Sequence, residues 1–165
     1  MSFLLAISLG PVQEFIAAAR KTRDLWYGSA LLADLARSAA RALADGGAEL
    51  IFPDLTAGGD SAPVANKLLA IVPDAPAERA AHARRAAEAR LLAARDDALT
   101  VARERGLMPL LDRSLLDQQL DGFLEWFAAW WPYNPAGPDS YPEARRQVEA
   151  LLAGRKAVRD FVPAA

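Results

Sequence analysis

Near the N-terminus the run Phe3-Leu4-Leu5-Ala6-Ile7-Ser8-Leu9 holds a single polar side chain and stops at Gly10-Pro11. An apolar run this short, closed by a turn signal, predicts a buried strand over residues 3–9. Val12, Phe15, Ile16 and Ala19 then recur at helical spacing, predicting a first helix with Pro11 at its opening position. Arg20, Lys21 and Arg23 fall in its last turn, where cations interact favourably with the helix dipole. A second helix is predicted from Ser29 as N-cap, carrying Leu31, Leu32, Leu35, Ala36, Ala39 and Leu43 inward and ending at Gly46-Gly47. Two strands, "ELIFP" (49–53) and "KLLAIVP" (67–73), flank a Gly-, Pro- and Asp-rich loop.

Residues 76–105 are dense in Ala, Arg, Glu and Leu and predict one long helix, with Pro109 marking its end. Ser114 is positioned to cap a short helix to Leu120. The aromatic segment 123–134 reads as a strand rather than a helix, "NPAGPDSYP" as a loop, and Pro142 as the start of a last helix reaching about Asp160. The order is β-α-α-β-β-α-β-α. With the extra helices set aside it is the β-α-β-β-α-β pattern of an α+β, ferredoxin-like sheet, in one domain over 1–165.

Composition narrows the chemistry more than the fold. A length of 165 residues, 53% hydrophobic and 24% charged, suits one globular domain with a real core. A net charge of −2 argues against nucleic-acid binding over the whole surface but leaves room for a local basic patch. With no cysteine and only His82, disulfides, thiolate metal sites, His-pair metal centres and Ser-His-Asp or Cys-His constellations are excluded. His82 has no acidic or nucleophilic partner at a diagnostic spacing and reads as a surface residue on the long helix. No stretch is apolar enough to span a membrane and no basic n-region opens the chain, so a cytoplasmic location is expected.

The candidate chemistry lies in "GPVQEFIAAARKTRDLWYGSALLADLA" (10–36). Gly10-Pro11 between a strand and a helix, with Gln13 beyond it, offers backbone amides to an anion. A lone Gly-Pro turn is weak evidence for that. Gly28-Ser29 repeats the arrangement: glycine admits a ligand to the backbone and serine adds a hydroxyl, while Ser29 serves equally well as a cap. Trp26 can stack on a base, although a Trp between two helices is more often core. Arg20, Lys21 and Arg23 can pair with phosphates or simply solvate a helix end. "AGGDSAP" contains Gly58-Gly59-Asp60 but is framed by Pro53 and Pro63, which makes it a loop and not a metal-binding hairpin. The cluster Trp126, Phe127, Trp130, Trp131 and Tyr133 reads as core, part of which can face a partner.

The segment 10–36, followed in order by "IFP", "ANKLLAIVP", "WFAAWWPY" and "YPEARRQVEALLAGRKAVRDF", resembles the first palm-like domain in the large subunit of Cmr-type (type III-B) CRISPR effector complexes. The resemblance implies an adenylyl-cyclase-like, ferredoxin-type palm. In that family two palms hold ATP, with magnesium, between them and make cyclic oligoadenylates once target RNA is bound, in RNA-guided antiviral defence. It implies a nucleotide-pocket role for Gly10, Gln13, Arg20, Asp24, Trp26, Gly28 and Ser29, with Trp26 partly structural. The catalytic Gly-Gly-Asp-Asp turn belongs to the second palm, so this chain is expected to be inactive alone and to be a fragment of a longer chain, with the family's HD, zinc-binding, second-palm and C-terminal helical domains absent from it and HD-type DNA cleavage not supported. Implied partners are that second palm and the other effector subunits, with guide and target RNA reached indirectly. Two readings from other classes stay open: a structural module docking other subunits or guide RNA, and an unrelated ferredoxin-like domain binding a small ligand.

Overall fold

A computed structural model describes residues 1–12, 19–56, 64–137 and 140–158. Strand β1 (Ser2–Gly10) lies inside a four-stranded sheet ordered β2-β3-β1-β4, with β2 (Glu49–Phe52), β3 (Lys67–Val72) and β4 (Glu125–Tyr133). Every neighbouring pair is antiparallel. Helices α1 (Thr22–Asp45) and α2 (Pro76–Glu104) follow β1 and β3, completing the α+β, ferredoxin-like arrangement that the element order predicts. A 3₁₀ turn (Met108–Leu110), a short α3 (Arg113–Leu120) and a final α4 (Ser140–Ala157) are additional.

The apolar run in β1 is explained by burial on both faces. Leu5, Ile7 and Leu9 point to the α1/α2 side with Leu68, Ala70 and Val72 of β3, while Leu4 and Ala6 point to the α4 side with Leu69 and Ala129. Side chains alternate across a strand, so a strand covered twice must be apolar at nearly every position. Ser8 is the exception. It is only 5% exposed, and its hydroxyl accepts from Lys156 Nζ at 3.3 Å, so the buried polar position is satisfied from α4.

Alanines set the distance between α1 and α2. The buried stripe of α1 is Gly28, Leu32, Leu35, Ala36, Ala39, Ala40 and Leu43; that of α2 includes Ala80, Ala83, Ala87 and Leu91. Both repeat at three- and four-residue intervals, and small side chains on the facing stripes let the helices sit close. Charged residues then tie the outer rims: Arg90 to Asp34 at 2.7 Å across the two helices, and Arg84 to Glu88 at 2.7 Å along α2. Arg79 ties the end of α1 to the start of α2, donating to the Asp74 carboxylate at 2.7 Å and to the Gly46 carbonyl.

Several boundaries differ from the sequence expectation. The second helix begins at Thr22, not at Ser29, so Ser29 caps nothing and sits in the second turn of α1. The Asp24 carboxylate accepts from the Lys21 N–H at 3.1 Å and closes the helix start there. Arg20 and Lys21 consequently lie in a bend and Arg23 in the first turn of α1, at the positive end of its dipole rather than at a C-terminus. Asp112, not Ser114, caps α3, its carboxylate accepting from Leu115 N–H at 3.0 Å. The last helix opens at Ser140 and ends at Ala157. Gly46-Gly47 terminates α1 as expected, with Gly47 at φ 83°. Residues 13–18, the middle of the first predicted helix, and the Gly58-Gly59-Asp60 loop lie outside the described residues.

Leu35 is fully buried between α1, α2 and the sheet. Leu35→Ala is expected to cost about 2–5 kcal/mol of unfolding free energy in a denaturant titration, while Leu151→Ala, at an exposed position on α4, stays within about 1 kcal/mol. A second expectation concerns pH. Lys67 donates to Glu149 at 3.0 Å and holds its carboxyl below the usual range against the opposing effect of burial, with Arg145 adding at 3.4 Å. Because the folded value lies below the unfolded one, the pair stabilises above roughly pH 4.3 and loses its effect as pH falls through the folded value. Melting curves should therefore separate wild type from Glu149→Gln at pH 7 and bring them together near pH 3.

Candidate functional site

The C-terminal end of β1 is where the two layers open. Gly10, its last residue, is buried and pairs with Glu125 at the start of β4. A Cβ at position 10 would collide with the Glu125 carboxylate, so glycine is required here by close approach. Asn66, just before β3, locks the same strand end: its backbone carbonyl accepts from Leu9 N–H at 2.8 Å, and its Nδ2 donates to the Leu9 carbonyl at 3.0 Å. That leaves the Asn66 side-chain oxygen as an acceptor with no partner among the described residues.

Beside this strand end is a cavity of about 300 Å³, lined by Val12, Leu25, Ser29, Leu32, Ala33, Val64, Ala65 and Asn66. Leu25, Ser29 and Leu32 lie four and three residues apart on α1, so helix geometry puts them on one stripe facing it. The walls are mainly apolar, with the Ser29 hydroxyl and the Asn66 amide as the polar groups. Pockets that hold small molecules share this make-up: apolar walls and a few placed polar groups.

The structure therefore brings Ser29 to a cavity next to the β1 end, and puts Gly10 at that strand end. Gln13 lies outside the described residues. Gly28 is buried within α1, and Asp24 is occupied as the helix-start acceptor, with Arg23 Nε 3.7 Å away. Arg20 and Lys21 are exposed and form no ion pair among the described residues. Trp26 departs most from the core expectation: it is 72% exposed. It lines a different groove, between α1 and α2, with Tyr27, Ala30, Leu31, Arg90 and Val101, and that groove shares no residue with the Ser29 cavity. His82 is exposed on α2, as expected.

Sequence reasoning missed the residues on the other face of the same strand end. Two polar contacts join the sheet to α4 there: Lys67 donates to Glu149 and Lys156 donates to Ser8, while Glu125 sits over Gly10. The available signal was the period of two: Ser8 shares a face with Leu4 and Ala6, and Lys67 is its register partner on β3. Among the described residues no three His, Cys, Asp or Glu side chains gather in a way that would hold a metal ion. What the described residues offer at this site is positioning groups.

No curated protein matches the chain. Residues 4–100 match the family model described as CRISPR-associated protein Cmr2, N-terminal, a span of more than half the chain that runs from β1 through most of α2 and includes the Gly10, Asn66 and Ser29 positions. No described helix is long and apolar enough to cross a membrane. The chain thus belongs to the Cmr2 family of CRISPR-associated proteins, as the N-terminal region of a Cmr-type, type III-B large subunit.

Proposed function

We propose that this domain is a nucleotide-binding palm that supplies one side of an ATP site used for cyclic oligoadenylate synthesis in RNA-guided antiviral defence, within a multisubunit effector assembly. The observation that carries the reading is the arrangement at the β1 end. A glycine closely approached by Glu125, a mainly apolar cavity with a serine hydroxyl and an amide oxygen, and two exposed cations at the start of α1 with no ion pair among the described residues all lie at or near this strand end. In this reading Arg20 and Lys21 draw in the phosphates, Ser29 donates to an oxygen of the nucleotide, and Gly10, over which the Glu125 carboxylate closes, fixes the strand end beside the pocket. Gln13 is assigned to the same pocket, and Gly28 keeps the α1 backbone accessible beside it. Asp24 contributes by fixing the helix start that carries the cations. Trp26, facing the neighbouring groove, stacks on a base only if the nucleotide reaches across α1.

The cavity volume of about 300 Å³ is at the small end for ligand pockets, which suits half of a site completed by a second palm. Magnesium would arrive with the nucleotide, and in this reading its protein ligands belong to that other half, since no metal-holding group of side chains gathers among the described residues. What this chain's residues do is bind and orient; the chemistry is expected of the second palm.

A second reading has its own observation. Leu25, Trp26 and Tyr27 are all exposed in the first two turns of α1, an apolar load more typical of a protein-binding surface than of solvent. The two readings separate experimentally. Isothermal titration of ATP with magnesium should show binding to the wild-type chain, weakened on the order of tenfold or more by Arg20→Ala through loss of a charge-assisted contact, and less by Ser29→Ala. No binding to wild type would leave the docking module as the better account, and binding that survives both substitutions would place the pocket elsewhere. Trp26→Ala is expected to leave the ATP isotherm within about twofold, because the groove it lines is separate. If the same substitution reduces association with other effector subunits, the exposed aromatic surface is a docking site.

A further inference from the structure

β4 is an edge strand of the described sheet, and no described strand pairs with its outer side. It pairs with β1 along its whole length, Ser2↔Tyr133 to Gly10↔Glu125, without a register shift, and with no other strand. Which backbone groups face outward follows from one hydrogen bond. Leu9 N–H is donated to Asn66, on the β3 side, so the odd-numbered residues of β1 turn their backbone to β3 and the even-numbered ones to β4. Opposite Leu9, Ile7, Leu5 and Phe3 stand Trp126, Ala128, Trp130 and Pro132, whose backbones therefore face away from β1. Pro132 agrees with this independently, since a residue without an N–H is tolerated on the outward side of an edge strand. The N–H groups of Trp126, Ala128 and Trp130 and the carbonyls beside them have no partner among the described residues.

The devices that usually blunt such an edge are missing. β4 carries no lysine and no bulge, and its single proline lies one residue from its end. Trp130 is 37% exposed on the α1/α2 side of the sheet, beyond the cover that holds Trp126 and Ala128 against the core. Charge is confined to one end. The chain enters the strand through Asp121 and Glu125, both exposed and with no ion-pair partner among the described residues, and leaves it through the uncharged Asn134-Pro135.

We propose that the outer edge of β4 accepts an extended strand of another polypeptide, antiparallel to β4, with bulky apolar side chains at alternate positions and a lysine or arginine at its C-terminal end. Antiparallel pairing puts that end beside Asp121 and Glu125. The open N–H and C=O groups select a strand over a helix, Trp130 is covered by the apolar side chains, and the acidic end sets the direction. A second copy of this chain fits less well: self-pairing would place the acidic end of one β4 beside Pro132-Tyr133-Asn134 of the other, where no cation is available.

The test uses the 165-residue chain and, as probe, a synthetic seven-residue peptide of alternating valine and threonine ending in lysine. Amide exchange followed by two-dimensional NMR should slow at Trp126, Ala128 and Trp130 on adding the peptide, and moving the lysine to the other end should weaken binding roughly three- to fivefold. Ala128→Pro removes an outward N–H and should abolish the effect without touching the β1 ladder; Trp130→Lys, which keeps the backbone intact, should weaken it as well. Unchanged exchange at those three amides at saturating peptide overturns the proposal. So does protection that appears without peptide and rises with protein concentration alongside a dimer in light scattering, since the occupant is then a second copy.

Discussion

The double burial of β1 is the constraint on which the rest depends. A strand covered on both faces cannot carry the polar-apolar alternation of a surface strand, and this one needs helices on both sides to hide Leu5 and Ile7 on one face and Leu4 and Ala6 on the other. The β-α-β-β-α-β core supplies only one helical layer. α4 supplies the second, and with it the lysine that satisfies Ser8. The same strand carries both its neighbours in continuous register, so its C-terminal end is a fixed point. Gly10, Asn66 and the Ser29 cavity are arranged around that point.

The site inherits its shape from this packing. Asn66 clamps Leu9 through two hydrogen bonds, and Glu125 fills the space a side chain at position 10 would take. α1 is brought to the strand end by its buried stripe, and beside that stripe Leu25 and Ser29 join Leu32 in lining the cavity, while Arg20 and Lys21 stay in solvent. Burial and function thus divide one helix between them: its inner stripe holds the fold, and its first two turns carry the groups available to a ligand or partner.

Much of this was legible from residue order. Glycine and proline mark the ends of β1, β2, β3 and α1, and the density of Ala, Arg, Glu and Leu over 76–105 identifies α2. The start of α1 was misread because Gly28-Ser29 has the chemistry of a turn and a cap. Tertiary packing overrode it: Gly28 is buried, and the stripe running back from Leu32 extends the helix to Thr22, where Asp24 closes it. Ser114 lost its cap to Asp112 for a related reason, since either side chain can accept at a helix start and nothing local chooses between them. The exposure of Trp26 was not legible at all, because composition and spacing do not reveal which side of a helix its neighbours leave uncovered. Nor were the contacts of Lys67 with Glu149 and of Lys156 with Ser8, whose members lie far apart along the sequence and meet only across the sheet face.

The central claim is that nucleotide binds at the β1 end, between Gly10, Asn66 and the first turns of α1. The most direct measurement is a map of backbone amide shifts as ATP with magnesium is titrated into the isotopically labelled chain. The account predicts that the largest changes cluster at Gly10, Lys21, Ser29 and Asn66, with the distant end of the sheet near Ser2 and Tyr133 unmoved. Changes centred instead on Trp26, Val101 and the α1/α2 groove, or none at saturating nucleotide, would contradict it.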